Sequence, residues 1–138
     1  WIDTFEIQNT VDDPSESIIG LLNADNFSRA IPELRLNFTN SFTFGDNHRA
    51  AITARFVDGV DDNRTNTAPE MQHIGSRWTV DARYTYSFSI LGGDTRASIG
   101  AINMFDDLMD QADQESSYAP SLHDPRGRYV YFTLNHSF

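Results

Sequence analysis

The sequence predicts an all-β protein that folds as an antiparallel meander of about six long strands. Apolar and polar residues alternate with a period of two over several long runs, as they do along a strand with one apolar and one polar face. The connections between these runs alternate between long and short. No apolar run is long enough to form a membrane-spanning helix.

The first strand is predicted over residues 1–9, where aromatic and apolar residues share one face. Residues 10–31 follow as a long connection, because they are rich in Asn, Asp and Ser and contain Pro14 and Gly20. A short element is expected within this connection at residues 18–22.

The second and third strands are predicted over residues 33–44 and 49–56, where every second residue is mainly apolar. The sequence Gly-Asp-Asn at residues 45–47 separates them and predicts a tight turn. Residues 58–76 are polar and contain two Gly and one Pro, so a second long loop is expected there.

Residues 78–90 carry the clearest strand pattern, with alternation along the whole run. A tight turn is predicted at residues 92–94, where the sequence is Gly-Gly-Asp, and a fifth strand at residues 95–103. A third long connection covers residues 106–127, and the last strand covers residues 128–138.

The last strand has an apolar face made by Val130, Phe132, Leu134 and Phe138. Strict alternation that ends on Phe is typical of the closing strand of a bacterial outer-membrane β-barrel. It also resembles the signal that the barrel-assembly machinery reads. His136 stands where an aromatic residue, often Tyr, is usual.

Alternation of the connections favours a membrane barrel over a soluble sandwich, because such barrels have short periplasmic turns and long extracellular loops. Aromatic residues near the strand ends fit the two interfacial girdles of a barrel. Trp1 and Trp78 are expected towards the outside, and Phe44, Phe88 and Phe138 towards the periplasm. The acidic extracellular loops are then residues about 10–31, 58–76 and 106–127.

Charged residues inside the predicted strands all have the parity opposite to the apolar face. They are Glu33, Arg35, Arg49, Arg55, Asp81, Arg83 and Arg96. Five of them are candidate lumen-facing residues that would contact a substrate or a plug inside a barrel: Arg35, Arg55, Asp81, Arg83 and Arg96. Salt bridges between neighbouring strands are the simpler interpretation.

Six strands are too few to close a transmembrane barrel, because single-chain examples begin at about eight strands. The chain is therefore expected to be part of a larger barrel.

Four segments occur in the order known from one family. They read PELR…TARFVDG (32–35 and 53–59), WTVDARYTY (78–86), IGAINMFD (99–106) and DPRGR (124–128). The first resembles LPEWR…TARYVDGYDD, found near the end of TonB-dependent outer-membrane receptors, and the second resembles the strand that follows it there. The third and fourth resemble GVNNLFD and YDPRGR of the same receptors. Ile102, Met104 and His123 depart from the family's usual Asn, Leu and Tyr.

The resemblance implies the last six strands of a 22-stranded barrel in the bacterial outer membrane, without the plug domain and the TonB box. Such receptors import a scarce small-molecule nutrient, such as a ferric siderophore, cobalamin or an oligosaccharide, with energy from TonB. The implied partners are outer-membrane lipid, the barrel-assembly machinery and TonB, the last through parts that this sequence lacks.

Composition argues against several other functions. The net charge of −10 disfavours a nucleic-acid partner, and the absence of Cys excludes disulfides and thiolate metal sites. The four His lack zinc-ligand spacing, and the acidic residues 106–115 lack the calcium-loop pattern, so a solvated acidic loop is the simpler interpretation. No catalytic set can be assembled, so neither an enzyme nor a metal or other cofactor is predicted.

Two alternatives remain open. Another outer-membrane barrel, such as a porin or an adhesin, would share the closing strand but would not reproduce the four segments. A soluble β-sandwich binding module would be monomeric and folded without detergent. The exposed apolar bands predict instead that the chain aggregates when detergent is absent.

Overall fold

The computed structural model describes residues 5–8, 11–12, 14–22, 29–64, 67–113 and 117–138. Within these residues the protein is all-β, as predicted, with ten strands and one short 3-10 helix at Pro69–Met71. In chain order the strands are β1 (Glu6–Ile7), β2 (Glu16–Ser17), β3 (Leu21–Leu22), β4 (Arg35–Phe44), β5 (His48–Val57), β6 (Val60–Asp62), β7 (His73–Ile74), β8 (Arg77–Ile90), β9 (Gly93–Ile102) and β10 (Tyr129–Ser137). No helix in the described ranges is long and apolar enough to cross a membrane.

The chain divides into two compact units. The sheet unit comprises Asn37–Arg55, Trp78–Asp107 and Arg126–Phe138. The loop unit comprises Trp1–Leu36, Phe56–Arg77 and Leu108–Pro125.

The long strands form one five-stranded sheet in the order β10-β9-β8-β5-β4. Strands that follow one another along the chain are therefore neighbours in space, which confirms the predicted meander for five of the six strands. The pairs β8–β9 and β9–β10 are antiparallel, and Ile99 pairs with both Tyr84 and Phe132. The described strands form an open sheet, with β4 and β10 at its edges, and not a closed barrel.

The prediction of a sixth long strand at residues 1–9 was wrong for the described part of that segment. There β1 has only two residues and pairs with β2, outside the five-stranded sheet. The N–H of Ile18 also donates to the carbonyl of Phe5, at 3.0 Å. Residues 16–18 therefore bind backbone groups of residues 5–7, which in a long first strand would instead pair with a strand of the five-stranded sheet. Residues 1–4 and 9 lie outside the described residues.

The two tight turns were predicted nearly correctly. Gly45–Asn47 joins β4 to β5, with Gly45 at a φ of 62°. The second turn lies earlier than predicted, because Leu91 and Gly92 have φ values of 54° and 79° and Gly93 already pairs with Ile90. A two-residue loop with both φ values positive is a type I′ turn, whose twist matches that of antiparallel strands.

The three connections predicted as loops contribute to the loop unit, which has its own small sheet, in the order β3-β6-β7, and its own core. The pair β3–β6 is parallel, and the pair β6–β7 is antiparallel. The predicted short element near residues 18–22 is confirmed as β3. The core consists of Leu22, Ala30, Val60, Ile74, Ala112, Ala119 and Leu122.

A buried ion pair also stabilises the loop unit. Arg64 donates through Nε and Nη2 to the two carboxylate oxygens of Asp62, at 2.9 and 2.5 Å, and through Nη2 to the carbonyl of Asp113. Burial opposes ionisation of Asp62, but the hydrogen bonds and charge of Arg64 outweigh it and lower the pKa of Asp62. The pair thus connects two of the sequence segments that form this unit.

Candidate functional site

One face of the five-stranded sheet is apolar and uncovered. Tyr84, Ile99 and Phe132 lie side by side across β8, β9 and β10, with 38%, 53% and 67% of their surface exposed. The same face of the sheet carries other exposed large hydrophobic residues: Phe38, Phe42, Phe44, Ile52, Trp78, Tyr86, Ile90, Val130 and Leu134. Asn40 on edge strand β4 interrupts this face with a polar side chain.

The sheet unit buries no hydrophobic side chain among the residues described. The eight buried hydrophobic residues of the described chain all belong to the loop unit. The buried polar residues of the sheet unit are Thr95, Ser98 and Asn103. A sheet in a water-soluble domain buries its apolar face against a second layer. This sheet instead exposes that face.

An aromatic row lies on the apolar face towards the tight-turn end of the sheet. It consists of Phe44, His48, Tyr84, Tyr86 and Phe88. His48 stacks on Phe44 with ring centroids 5.4 Å apart and contacts Tyr86 at 4.9 Å, and Tyr86 stacks on Phe88 at 5.6 Å. His48 Nδ1 also lies 2.6 Å from the hydroxyl of Tyr84. Rings that are apolar in body and polar at one edge suit a boundary between apolar and aqueous surroundings.

His136 on β10 likewise combines an aromatic contact with a polar one. Its Nδ1 lies 2.7 Å from Oγ1 of Thr95, and its ring meets Phe138 edge-on with centroids 4.3 Å apart. His136 therefore makes the aromatic contact, and a polar one, at the position where the closing-strand pattern usually has Tyr.

Trp78 lies near the opposite end of β8, on the same face, with 56% of its surface exposed. The ten residue-to-residue steps from Trp78 to Phe88 span about 33 Å along the strand, or about 23 Å across a membrane at a tilt of about 45°. The apolar band of a transmembrane barrel is about 25 Å tall. The aromatic residues at the two ends of β8 therefore have the spacing of two membrane interfaces. Trp1, also predicted at the outer interface, lies outside the described residues.

The opposite face of the sheet is polar. Arg55 on β5 forms an ion pair with Asp81 on β8, which confirms cross-strand pairing for two of the five candidate residues. The other carboxylate oxygen of Asp81 accepts the backbone N–H of Asn103 at 3.1 Å. The side chain of Asp81 is 15% exposed and that of Arg55 is 41% exposed, so Asp81 is the better shielded partner.

Replacing the two partners of this ion pair is expected to have unequal effects. Asp81→Ala leaves the N–H of Asn103 without its acceptor and should lower the free energy of unfolding by about 1–3 kcal/mol. Arg55→Ala removes a half-exposed partner and should cost no more than about 1 kcal/mol. Urea unfolding of both variants and of the double variant in detergent micelles measures the difference. Equal losses in the two single variants would contradict the role assigned to Asp81.

Hydroxyl groups connect the strands elsewhere on the polar face. Ser98 lies 2.9 Å from Oγ1 of Thr85 and accepts a hydrogen bond from Nη2 of Arg83 at 3.2 Å. The hydroxyls of Thr39 and Thr53 lie 3.0 Å apart. Most of this face is therefore held by neutral or singly charged hydrogen bonds and not by ion pairs.

A pocket with a volume of about 540 Å³ opens on the polar face. Three arginines from adjacent strands line it: Arg49 on β5, Arg83 on β8 and Arg96 on β9. Arg83 and Arg96 were candidates from the sequence. Arg49 was not chosen as a candidate. Its parity, which is the same as that of Arg83, is the sequence signal that could have identified it.

The fifth candidate lies elsewhere. Arg35 belongs to the loop unit, where its guanidinium donates to the carbonyl of Ser121. The structure thus pairs Arg55 with Asp81 and brings Arg83 and Arg96 to one pocket, and Arg35 belongs to neither group.

The residues predicted as the barrel-assembly signal are all exposed. Val130, Phe132 and Leu134 lie on the apolar face of β10, and Phe138 follows the strand. Recognition of these residues by an assembly machinery stays a prediction.

Two acidic residues of the third connection act as hydrogen-bond acceptors. Asp106 accepts the N–H of Arg128 at 2.6 Å, and Asp110 accepts the N–H of Gly75 at 2.7 Å. These two aspartates belong to different units. In the part of the chain that the structure describes, no group of three or more His, Asp or Glu side chains is placed to hold a metal ion.

His123 is buried in the loop unit. Burial lowers the pKa of His123, and the charges of Arg77 and Arg35 act in the same direction, against opposing contributions from Asp110 and the backbone of Gly75. The folded protein therefore favours the neutral ring.

Acidification is expected to destabilise the loop unit through His123. In the unfolded chain the imidazole of His123 has a pKa of about 6.5, and in the folded chain its pKa is lower. The free energy of unfolding therefore rises with pH between these two pKa values. The stability that neutral His123 contributes is complete above the pKa of the unfolded chain and is lost as the pH falls towards the pKa of the folded chain. Urea unfolding from pH 7 to pH 5 should show this slope, and His123→Gln should flatten it. An unchanged slope in His123→Gln would contradict the assignment.

Comparison with known proteins gives no family or neighbour for this chain: no family model, no curated protein and no solved structure matches it.

Proposed function

We propose that the five-stranded sheet is a segment of a transmembrane β-barrel in the bacterial outer membrane, and that the barrel belongs to a TonB-dependent receptor that imports a scarce nutrient. The observation that carries the proposal is the uncovered apolar face of a sheet that buries no hydrophobic side chain among its described residues. Lipid is the occupant whose chemistry matches such a face.

Strand length supports a membrane location. The five strands have 10, 10, 14, 10 and 9 residues. A tilted strand needs about 9–11 residues to cross the hydrocarbon core of a bilayer. Ordinary soluble strands have a mode of about 5–6 residues. All five strands are therefore at least long enough to span.

Connectivity supports the barrel orientation. The turns 45–47 and 91–92 lie at one end of the sheet, and the long connections leave from the other end. In outer-membrane barrels the short turns are periplasmic and the long connections extracellular. Open edges at β4 and β10 leave unpaired backbone groups, which cannot face lipid. Further strands at both edges would satisfy them and would close the barrel.

The receptor class is supported by the four sequence segments described above. They include the first residue of β4, the end of β5, residues 78–86 of β8, the end of β9 and the residues directly before β10. Each long strand of the sheet thus contains or directly follows part of one segment.

Disruption of the gene that encodes the chain tests the transport function. Uptake of ferric siderophore, cobalamin and oligosaccharide is measured in cells with and without the gene, with and without a protonophore. We expect energised uptake of one of these nutrients to be lost. Unchanged uptake of all of them after disruption, when cells with the intact gene contain the chain as a heat-modifiable outer-membrane protein, would contradict the receptor and favour a porin or an adhesin.

A further inference from the structure

The pocket on the polar face has an unbalanced charge. Its lining consists of Thr43, Asp46, Asn47, His48, Arg49, Ala51, Arg83, Thr85, Ser87 and Arg96. The lining thus contains three arginines and a single acidic residue, Asp46. The whole chain carries a net charge of −10, so this positive site is a local exception.

The three arginines do not serve as cross-strand ion-pair partners. In the described part of the chain, Arg49 and Arg96 form no ion pair, and Arg83 donates only to the hydroxyl of Ser98. Elsewhere on the same face the cationic Arg55 is neutralised by Asp81. Like charges on neighbouring strands destabilise a sheet. Three clustered cations without a carboxylate partner are therefore explained better by a ligand than by the fold.

The strand pairing explains why the three side chains reach one pocket. Arg96 pairs with Ser87, and Arg83 lies four residues before Ser87 on the same face of β8. The N–H of Ser87 donates to the carbonyl of Asn47 at 2.8 Å, which places the first residues of β5 beside this part of β8. Hydroxyls of Thr43, Thr85 and Ser87 complete the lining with neutral donors.

We propose that this pocket binds a small polyanion that carries two or more carboxylate or phosphate groups. Guanidinium groups bind such groups through paired hydrogen bonds, and three of them suit a ligand with several negative groups. The pocket is small enough to exclude a folded macromolecule. The proposal goes beyond nutrient transport, because it depends on the polar face alone and holds whether or not the sheet spans a membrane.

Calorimetric titration of the 138-residue chain in detergent micelles tests the site, with citrate and inorganic pyrophosphate as separate probes. We expect saturable binding of at least one probe, weakened by added salt. Arg49→Gln and Arg96→Gln should each weaken binding about tenfold or more, and Arg49→Lys should weaken it less, because it keeps the charge and loses the paired geometry. Arg128→Gln removes a positive charge outside the pocket and should leave the affinity unchanged.

Circular dichroism of each variant shows whether the sheet is intact. A folded chain that binds neither probe would overturn the proposal, as would equal affinities in wild type, Arg49→Gln and Arg96→Gln. An equal loss in Arg128→Gln would also overturn it, because the attraction would then come from the overall charge. None of these outcomes depends on nutrient uptake, so failure of the site and failure of the transport function are distinguishable.

Discussion

Phe132→Arg is expected to prevent stable insertion of the sheet into a bilayer, whereas Thr133→Arg is expected to be tolerated. Both residues lie in the middle of β10, next to each other and on opposite faces. An Arg on the lipid-facing side near the midplane of a barrel costs about 2–4 kcal/mol, and an Arg on the inner face avoids that cost. Thr133 pairs with the neutral Ser98, so the new charge meets no like charge directly opposite.

The measurement is the free energy of unfolding, in phospholipid vesicles, of the complete barrel that contains this sheet, from urea titrations of the two variants and the wild type. In water the expected order reverses, since Arg in place of an exposed Phe reduces the apolar surface. Equal stability of the two variants in vesicles would show that the apolar face does not contact lipid.

Ile74→Ala is expected to loosen the loop unit by about 2–5 kcal/mol, because a large buried aliphatic side chain is removed and a cavity remains. Ile74 is fully buried in the core of that unit, beside Leu22 and Val60. Val11→Ala, at a side chain that is 93% exposed, is the matched control and should have little effect.

Hydrogen exchange of the amides in β6 and β7 reads the change directly. Protection there should fall in Ile74→Ala, while the amides of β8 and β9 keep theirs, since these strands belong to the separate sheet unit. Unchanged protection in β6 and β7 would mean that the residues between the long strands form no cooperative core.

The long strands could be predicted from sequence because each carries a period of two over many residues. In β8 the alternation continues from Trp78 to Ile90 without a break, and the structure contains that strand. The turn between β8 and β9 was placed slightly late, because Leu91 adopts a positive φ that its residue type does not signal.

The loop unit could not be predicted in the same way. Leu22, Val60 and Ile74 each stand in a short, mostly polar stretch without a period, and they meet only through contacts distant in the sequence. The pocket could be predicted only in part. Parity identified Arg83 and Arg96, but which arginines form ion pairs with a carboxylate depends on the register of the strands. Arg55 meets Asp81 because of that register, and Arg49 meets no carboxylate.

The most direct test of the membrane sheet is a spin-label scan of β10. The chain contains no Cys, so single Cys substitutions at residues 129–137 label one site at a time. In the complete barrel in phospholipid vesicles, labels at Val130, Phe132 and Leu134 should be reached by oxygen, which concentrates in lipid. Labels at Tyr131, Thr133 and Asn135 should be reached by a water-soluble nickel complex. That alternation would support a lipid-facing sheet, and access of the nickel complex to both sets of labels would contradict it.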